Sequence, residues 1–179
     1  MGYYCRNYLH AYQPRTMLTA SVYGTLGCVY PIALGAKVGA PERPVVAVCG
    51  DGGFAYNIQE LATAKQHSIG AIAIVFNDNA FGNVRRCCSA LQNSFTAASE
   101  RGFSCQVLRA QEEEFDNRVL GTKLHNPDFV ALAKSFGVRG VLAEDAAALE
   151  LAVREAVEEG ERGNPTLIEV PVGPLERRY

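Results

Sequence analysis

Two rhythms of apolar residues alternate along this chain. Continuous apolar runs stand at VVAVC (45–49) and AIAIVF (71–76). Runs without polar interruption predict parallel strands buried on both faces. Between them Ile58, Leu61, Ala62 and Lys65 recur at helical spacing, so a helix is expected over about Asn57 to His67. Lys65 and His67 fall in its last turn, where cations suit the helix dipole, and Ser68 to Gly70 end it. The helical rhythm returns after Asn126, read as an N-cap with Pro127 at the first position, Asp128 in the first turn and Gly137 just past the end. VRGVLA then reads as a short strand. Asp145 caps a long helix through Glu158, with Leu149, Val153 and Val157 four apart. Pro165 introduces a last strand, TLIEVPV. Upstream, Gly24 and Gly27 bracket a tight turn before a helix of small residues with Pro31 near its start. That region is either a buried packing helix or a place where backbone meets ligand, and the pattern leaves both open. Strands and helices alternate throughout. The class is therefore α/β, an open, mostly parallel sheet with helices on both faces.

Composition narrows the partners rather than the fold. A chain of 179 residues is long enough for one full core. Hydrophobic content of 48% and charged content of 20% are ordinary for a soluble globular protein. A net charge of −2 gives no basic surface for nucleic acid or an anionic membrane. No apolar run approaches the length of a membrane span, and the N-terminus lacks the apolar core of a signal peptide. The six cysteines form no CxxC and no zinc spacing, and Cys87-Cys88 are adjacent, which rarely makes a disulfide. Reduced thiols in a cytoplasmic compartment are the expectation.

The chemistry gathers at two loops. Gly50-Asp51-Gly52-Gly53 follows the first strand and Asn77-Asp78-Asn79 the second. In a parallel βαβ unit both lie at the carboxyl ends of neighbouring strands, where open α/β sheets bind ligands. Two carboxylates and two Asn amides then share one crevice, a donor set suited to a hard cation beside a phosphate. GDGGFA also fits the dinucleotide pattern G-x-G-x-x-A. Against that, Asp51 would sit among amides that should face a pyrophosphate, and Asp78 comes 28 residues after Gly50 rather than about 20. A purely structural turn is the remaining alternative.

GDG, a gap of 26 residues from Asp51 to Asn77, and the polar triplet after a buried strand resemble the thiamine diphosphate motif. The likeness extends over GTLGCVYPIALGAKVGAPERPVVAV, GDGGFAYNIQELATA, and the stretch from NPDFVALAKSFGVRG to PTLIEVPV, covering about residues 15–86 and 110–172. The chain thus resembles the acetolactate synthase and 2-oxoacid decarboxylase group of thiamine diphosphate-dependent enzymes. The resemblance implies that Asp51 is a Mg²⁺ ligand and that Gly50, Gly52 and Gly53 meet the diphosphate. In this family the second ligand is usually the second Asn of a pair, four residues before a Gly. Gly82 puts Asp78 at that place, with Asn77 as the alternative, and the main-chain oxygen of Ala80 as third ligand. The Gly24 carbonyl is implied to accept a hydrogen bond from the aminopyrimidine, and Leu26 to be the apolar wedge beneath the bent cofactor. Relatives often carry a hydroxyl residue where Gly53 stands.

The family's activating Glu lies on a separate pyrimidine-binding domain, usually of a partner subunit. Neither Glu60 nor Glu112 to Glu114 takes its place. The resemblance therefore implies a pyrophosphate-binding domain, with residues 19–172 as the domain, 1–18 a lead-in and 173–179 a tail. It further implies a fragment or one subunit of a split enzyme, without a catalytic residue of its own. Residues 87–109 show no clear period and read as an insertion, either a lid or, the favoured account, translated non-coding sequence. The expected function is binding Mg²⁺ and thiamine diphosphate in an enzyme that cleaves or forms C–C bonds of 2-oxo acids. Its partners would be a 2-oxo acid, a pyrimidine-binding domain in cis or trans, and further copies in a dimer or tetramer. The alternatives are a catalytically inactive cofactor- or partner-binding remnant, or a Rossmann nucleotide-binding domain.

Overall fold

The structure, a computed structural model, describes residue 5, residues 8–19 and 24–79, residues 116, 118, 120 and 121, and residues 124–172. In chain order these form α1 (Val29–Gly39), β1 (Val46–Gly50), α2 (Asp51–Ala55), α3 (Glu60–Gln66), β2 (Ile72–Asn77), α4 (Phe129–Ser135), β3 (Arg139–Leu142), α5 (Ala146–Glu161) and β4 (Thr166–Pro171). The insertion expected at 87–109 lies outside the described residues.

The four strands pair in the order β1-β2-β4-β3, and every pair is parallel. This follows from the apolar runs. In β2, Ala73 and Val75 enter the core on one face, while Ile72 and Ile74 enter it on the other. The first face is covered by Tyr30 and Leu34 of α1, Phe54 of α2, Leu61 and Ala64 of α3, and Phe129 and Ala133 of α4. The second is covered by Ala152 and Ala156 of α5. Helices on both faces of a parallel sheet are thus as expected.

Phe54 is the hinge pin of the first face. It is 1% exposed. Its ring meets Tyr30 edge-on at 5.5 Å and Phe129 at 6.0 Å. Such pairs add about 0.5–1.5 kcal/mol to what burial already supplies. They hold α2 directly beneath the end of β1. At the far end of the sheet the backbones themselves touch: a Cβ built on Gly70 would stand 2.1 Å from Gly160 O. Only glycine permits α5 to close over the start of β2.

Three local expectations are corrected. The segment Gly50-Asp51-Gly52-Gly53 is not a free loop: Gly50 is extended (φ −86°, ψ 158°) and Asp51 begins α2. The helix expected over about Asn57 to His67 is shorter: turns occupy residues 56–59, and α3 runs from Glu60 to Gln66. The anchored Phe54 ring and a tertiary bond from Asn57 set the chain direction there, overriding the local helical period. The third correction is the cap of α4. Asp128, not Asn126, is the N-cap, its Oδ1 accepting from the Ala131 amide at 2.8 Å. Pro127 therefore precedes the cap rather than occupying the first helical position. The Asp145 cap and the turn at Gly137 (φ +71°) stand where expected.

Candidate functional site

The register Gly50↔Phe76 brings the carboxyl ends of β1 and β2 side by side, so Asp51 and the Asn77-Asp78 pair are neighbours in space. Asp51 is 2% exposed. As the first residue of α2 it lies at the positive end of that helix. Its Oδ1 accepts from the Gly52 amide at 2.8 Å, and its Oδ2 accepts from Asn126 Nδ2 at 2.6 Å. Among the described residues no Lys or Arg pairs with it.

Asn77 is held from three sides. Its Nδ2 donates to Glu169 Oε1 at 2.8 Å, while its Oδ1 accepts from Asn126 Nδ2 at 2.8 Å and from the Asn79 amide at 3.1 Å. Glu169 is buried on β4 beside β2, in register with Val75. A donor bound to the carboxylate leaves the Asn77 oxygen facing the site. Asp78, the next residue, is half-buried just beyond β2. The Leu124 amide donates to Asn79 O at 2.9 Å, which fastens the segment carrying Asn126 to the second loop.

The turn at Gly24 and Gly27 comes to the same end of the sheet. Asn57 Nδ2 donates to Gly27 O at 3.0 Å. A Cβ on Gly27 (φ +88°) would strike Asn57 Nδ2 and Tyr56 Cβ at 2.7 Å, with Gly53 O at 3.6 Å. The turn therefore packs directly on the end of α2. Gly24 (φ +62°) and Leu26, 55% exposed, stand on its open side. Among the described residues, a Cβ on Gly50 or Gly53 meets nothing within 4 Å, so they leave the space beside both open. Cys49, next to Gly50, is buried, and burial pushes its thiol up to about 12.

The structure thus assembles Asp51, Gly52, Gly53, Asn77 and Asp78 at one sheet end and sets the Gly24–Leu26 turn beside them. Ala80 lies outside the described residues, as do Gly82 and Glu112 to Glu114. Asn126, Glu169 and Asn57 were not expected at the site. For Glu169 a signal existed: a charge inside the apolar run TLIEVPV is a buried charge in need of a partner. For Asn126 the signal was ambiguous, since Asn-Pro-Asp offers two candidate caps and only one is needed.

Residues 1–170 match the family described as "Thiamine pyrophosphate enzyme, C-terminal TPP binding domain", thiamine pyrophosphate being thiamine diphosphate. This chain belongs to that family. Among curated relatives, the domain is 32% identical over 168 residues to the acetolactate synthase large subunit of Parasynechococcus marenigrum, covering 93% of this chain and 23% of that protein. It is 34% identical over 136 residues to a "Probable 2-ketoarginine decarboxylase" of Pseudomonas aeruginosa, covering 75% and 20%. Among solved structures, the thiamine diphosphate-dependent 4-hydroxybenzoylformate decarboxylase of Rhodococcus jostii RHA1 superposes with a TM-score of 0.66 at 28% identity, covering 87% of this chain and 24% of that one. The chain spans about a quarter of the length of the relatives it matches. It is a thiamine pyrophosphate-binding domain of the acetolactate synthase and decarboxylase type, and the family match displaces the Rossmann alternative. Among the described residues no helix is long and apolar enough to cross a membrane.

Proposed function

We propose that this domain binds Mg²⁺ and thiamine diphosphate within an enzyme that breaks or forms a carbon–carbon bond at the carbonyl of a 2-oxo acid. The observation that carries the reading is the convergence of Asp51 Oδ2 and Asn77 Oδ1 on one point at the carboxyl end of the sheet. The donor set fits a hard cation. Asp51 is a buried carboxylate without a cationic partner among the described residues, and such a charge is costly unless compensated. Mg²⁺ is held by one or two carboxylates plus ligand phosphates, so a site needs no larger acidic cluster, and none is found among the described residues.

Asp51 and Asp78, with the main-chain oxygen of Ala80, are the residues that would hold the cation, and Asn77 is the alternative to Asp78. Gly50, Gly52 and Gly53 would meet the diphosphate, with room beside Gly50 and Gly53 for it. The Gly24 carbonyl would accept from the aminopyrimidine, and Leu26 would support the cofactor from below. The bound cofactor supplies the electron sink for the bond made or broken. This chain orients it. The activating carboxylate would come from a pyrimidine-binding domain, in cis or from a partner subunit of a homo-oligomer.

The test is calorimetry of thiamine diphosphate binding with Mg²⁺. Asp51→Ala is expected to weaken binding by at least about 100-fold, since even residues one layer removed from a metal cost 10- to 100-fold. Asp78→Asn is expected to keep it, because an amide oxygen replaces a carboxylate oxygen at the family's usual position. Equal affinity of Asp51→Ala and wild type overturns the reading.

A further inference from the structure

Asp51 has two oxygens, and both are already engaged. Oδ1 is turned inward onto the Gly52 amide of its own helix turn. Oδ2 points outward, toward Asn77, but Asn126 Nδ2 sits on it at 2.6 Å and on Asn77 Oδ1 at 2.8 Å. One amide nitrogen, with its two protons, thus fills the point where two oxygens converge. It is the hydrogen-bond donor that Asp51 Oδ2 meets among the described residues. The arrangement is not incidental to capping, because Asp128 caps α4 and leaves the Asn126 side chain unneeded there. Nor is it loosely placed. Leu124 is bonded to Asn79 on one side, and Phe129 is fully buried on the other. Glu169 fixes the partner, since its hold on Asn77 Nδ2 turns Asn77 Oδ1 toward Asn126.

We propose that the Asn126 amide is a placeholder for the cation: it neutralises the outward oxygen of Asp51 in the metal-free domain and must leave that oxygen when a divalent cation binds. The inference rests on the assignment of Asp51 as a metal ligand. It holds whether Asn77 or Asp78 is the second ligand, because either way the cation reaches Asp51 through Oδ2. A metal and an amide NH₂ group cannot share one carboxylate oxygen from the same side. Mg²⁺ stands roughly 2.1 Å from its oxygens, inside the hydrogen-bond distances seen here. Asn126 therefore competes with the metal rather than assisting it, and the metal-free domain has a ready-made resting state instead of a bare buried carboxylate.

A positioning residue and a placeholder predict opposite signs. Mn²⁺ binding to the full chain, followed by electron paramagnetic resonance, is measured for wild type, Asn126→Ala and Asp51→Ala. Asn126→Ala is expected to bind Mn²⁺ about 2- to 10-fold more tightly, the worth of one net hydrogen bond no longer broken on binding. Its melting temperature without metal is expected to fall, and the gap from wild type to close on adding Mn²⁺. Affinity equal to or weaker than wild type overturns the proposal. The wild-type chain supplies a second readout that survives a misfolded variant. The Asn126 side-chain NH₂ resonances are expected to shift on titration with diamagnetic Mg²⁺, and resonances unmoved at saturation overturn the proposal too. Asp51-dependent metal binding with an indifferent Asn126 sinks this inference alone. Metal binding that survives Asp51→Ala sinks the assignment beneath it and this inference with it.

Discussion

The two ends of the sheet are held by different means. At the end where β1, β2 and β4 begin, backbone meets backbone. Ile72 N–H bonds to Val45 O, Thr166 N–H bonds to Ala71 O, and Gly70 lies against Gly160 with no room for a side chain. At the end where the strands finish, side chains from four segments meet: Asp51 from α2, Asn77 from β2, Glu169 from β4, and Asn126 from the segment before α4. The first end is closed by backbone contact. The second is polar, and its hydrogen bonds run from Glu169 through Asn77 and Asn126 to Asp51. The difference teaches where stability and where binding reside. Close packing at one end makes the sheet rigid, and that rigidity sets the polar groups at the other to within hydrogen-bond distance.

β4 runs through both ends and makes the comparison testable. The largest effect is expected at Phe54, which ties the polar end to the core. Phe54→Ala should cost about 3–5 kcal/mol in denaturant unfolding and loosen α2 with it. A loss below about 1 kcal/mol would mean that α2 is held by the site and not by the core. Next comes Glu169→Leu, which leaves Asn77 Nδ2 without its acceptor. About 1–3 kcal/mol of stability should go, and Mg²⁺-dependent cofactor affinity with it. Unchanged affinity in that variant would break the link drawn between β4 and the site. The smallest effect has the opposite sign. Thr166, three residues earlier on the same strand, is 1% exposed, and its Oγ1 has no hydrogen-bond partner among the described residues. Thr166→Val removes an unpaired hydroxyl from an apolar setting, so stability should rise by about 1 kcal/mol while cofactor affinity stays level. A drop in affinity there would show that the two ends are not independent.

Much of the fold was legible in advance because its signals are local. The apolar runs 45–49 and 71–76 differ in kind from the helical spacing between them, and each became a parallel strand within a residue of its expected bounds. Asp145 capped its helix, and Gly137 took the left-handed turn expected after α4. The failures share one cause. Gly50-Asp51-Gly52-Gly53 has loop composition, yet it winds into α2 because Phe54 is drawn into the core two aromatic rings deep. Asn126 has good capping chemistry, yet Asp128 has it too, and local propensity has no means of choosing between them.

By itself, the sequence determined the α/β class, the parallel pairing of its strands, and the spacing of Asp51 from Asn77 and Asp78 that marks the family. These depend on hydrophobic period and motif spacing, which are properties of neighbouring residues. Only the tertiary structure decided what surrounds Asp51. The bonds that do so join residues 92, 75 and 49 positions apart. Contacts at such range depend on which strand lies beside which and in what register. Glu169 reaches Asn77 because β4 inserts next to β2, and Asn126 reaches Asp51 because Asp128 relieves it of the cap. Neither fact is written in any stretch of chain short enough to carry a pattern.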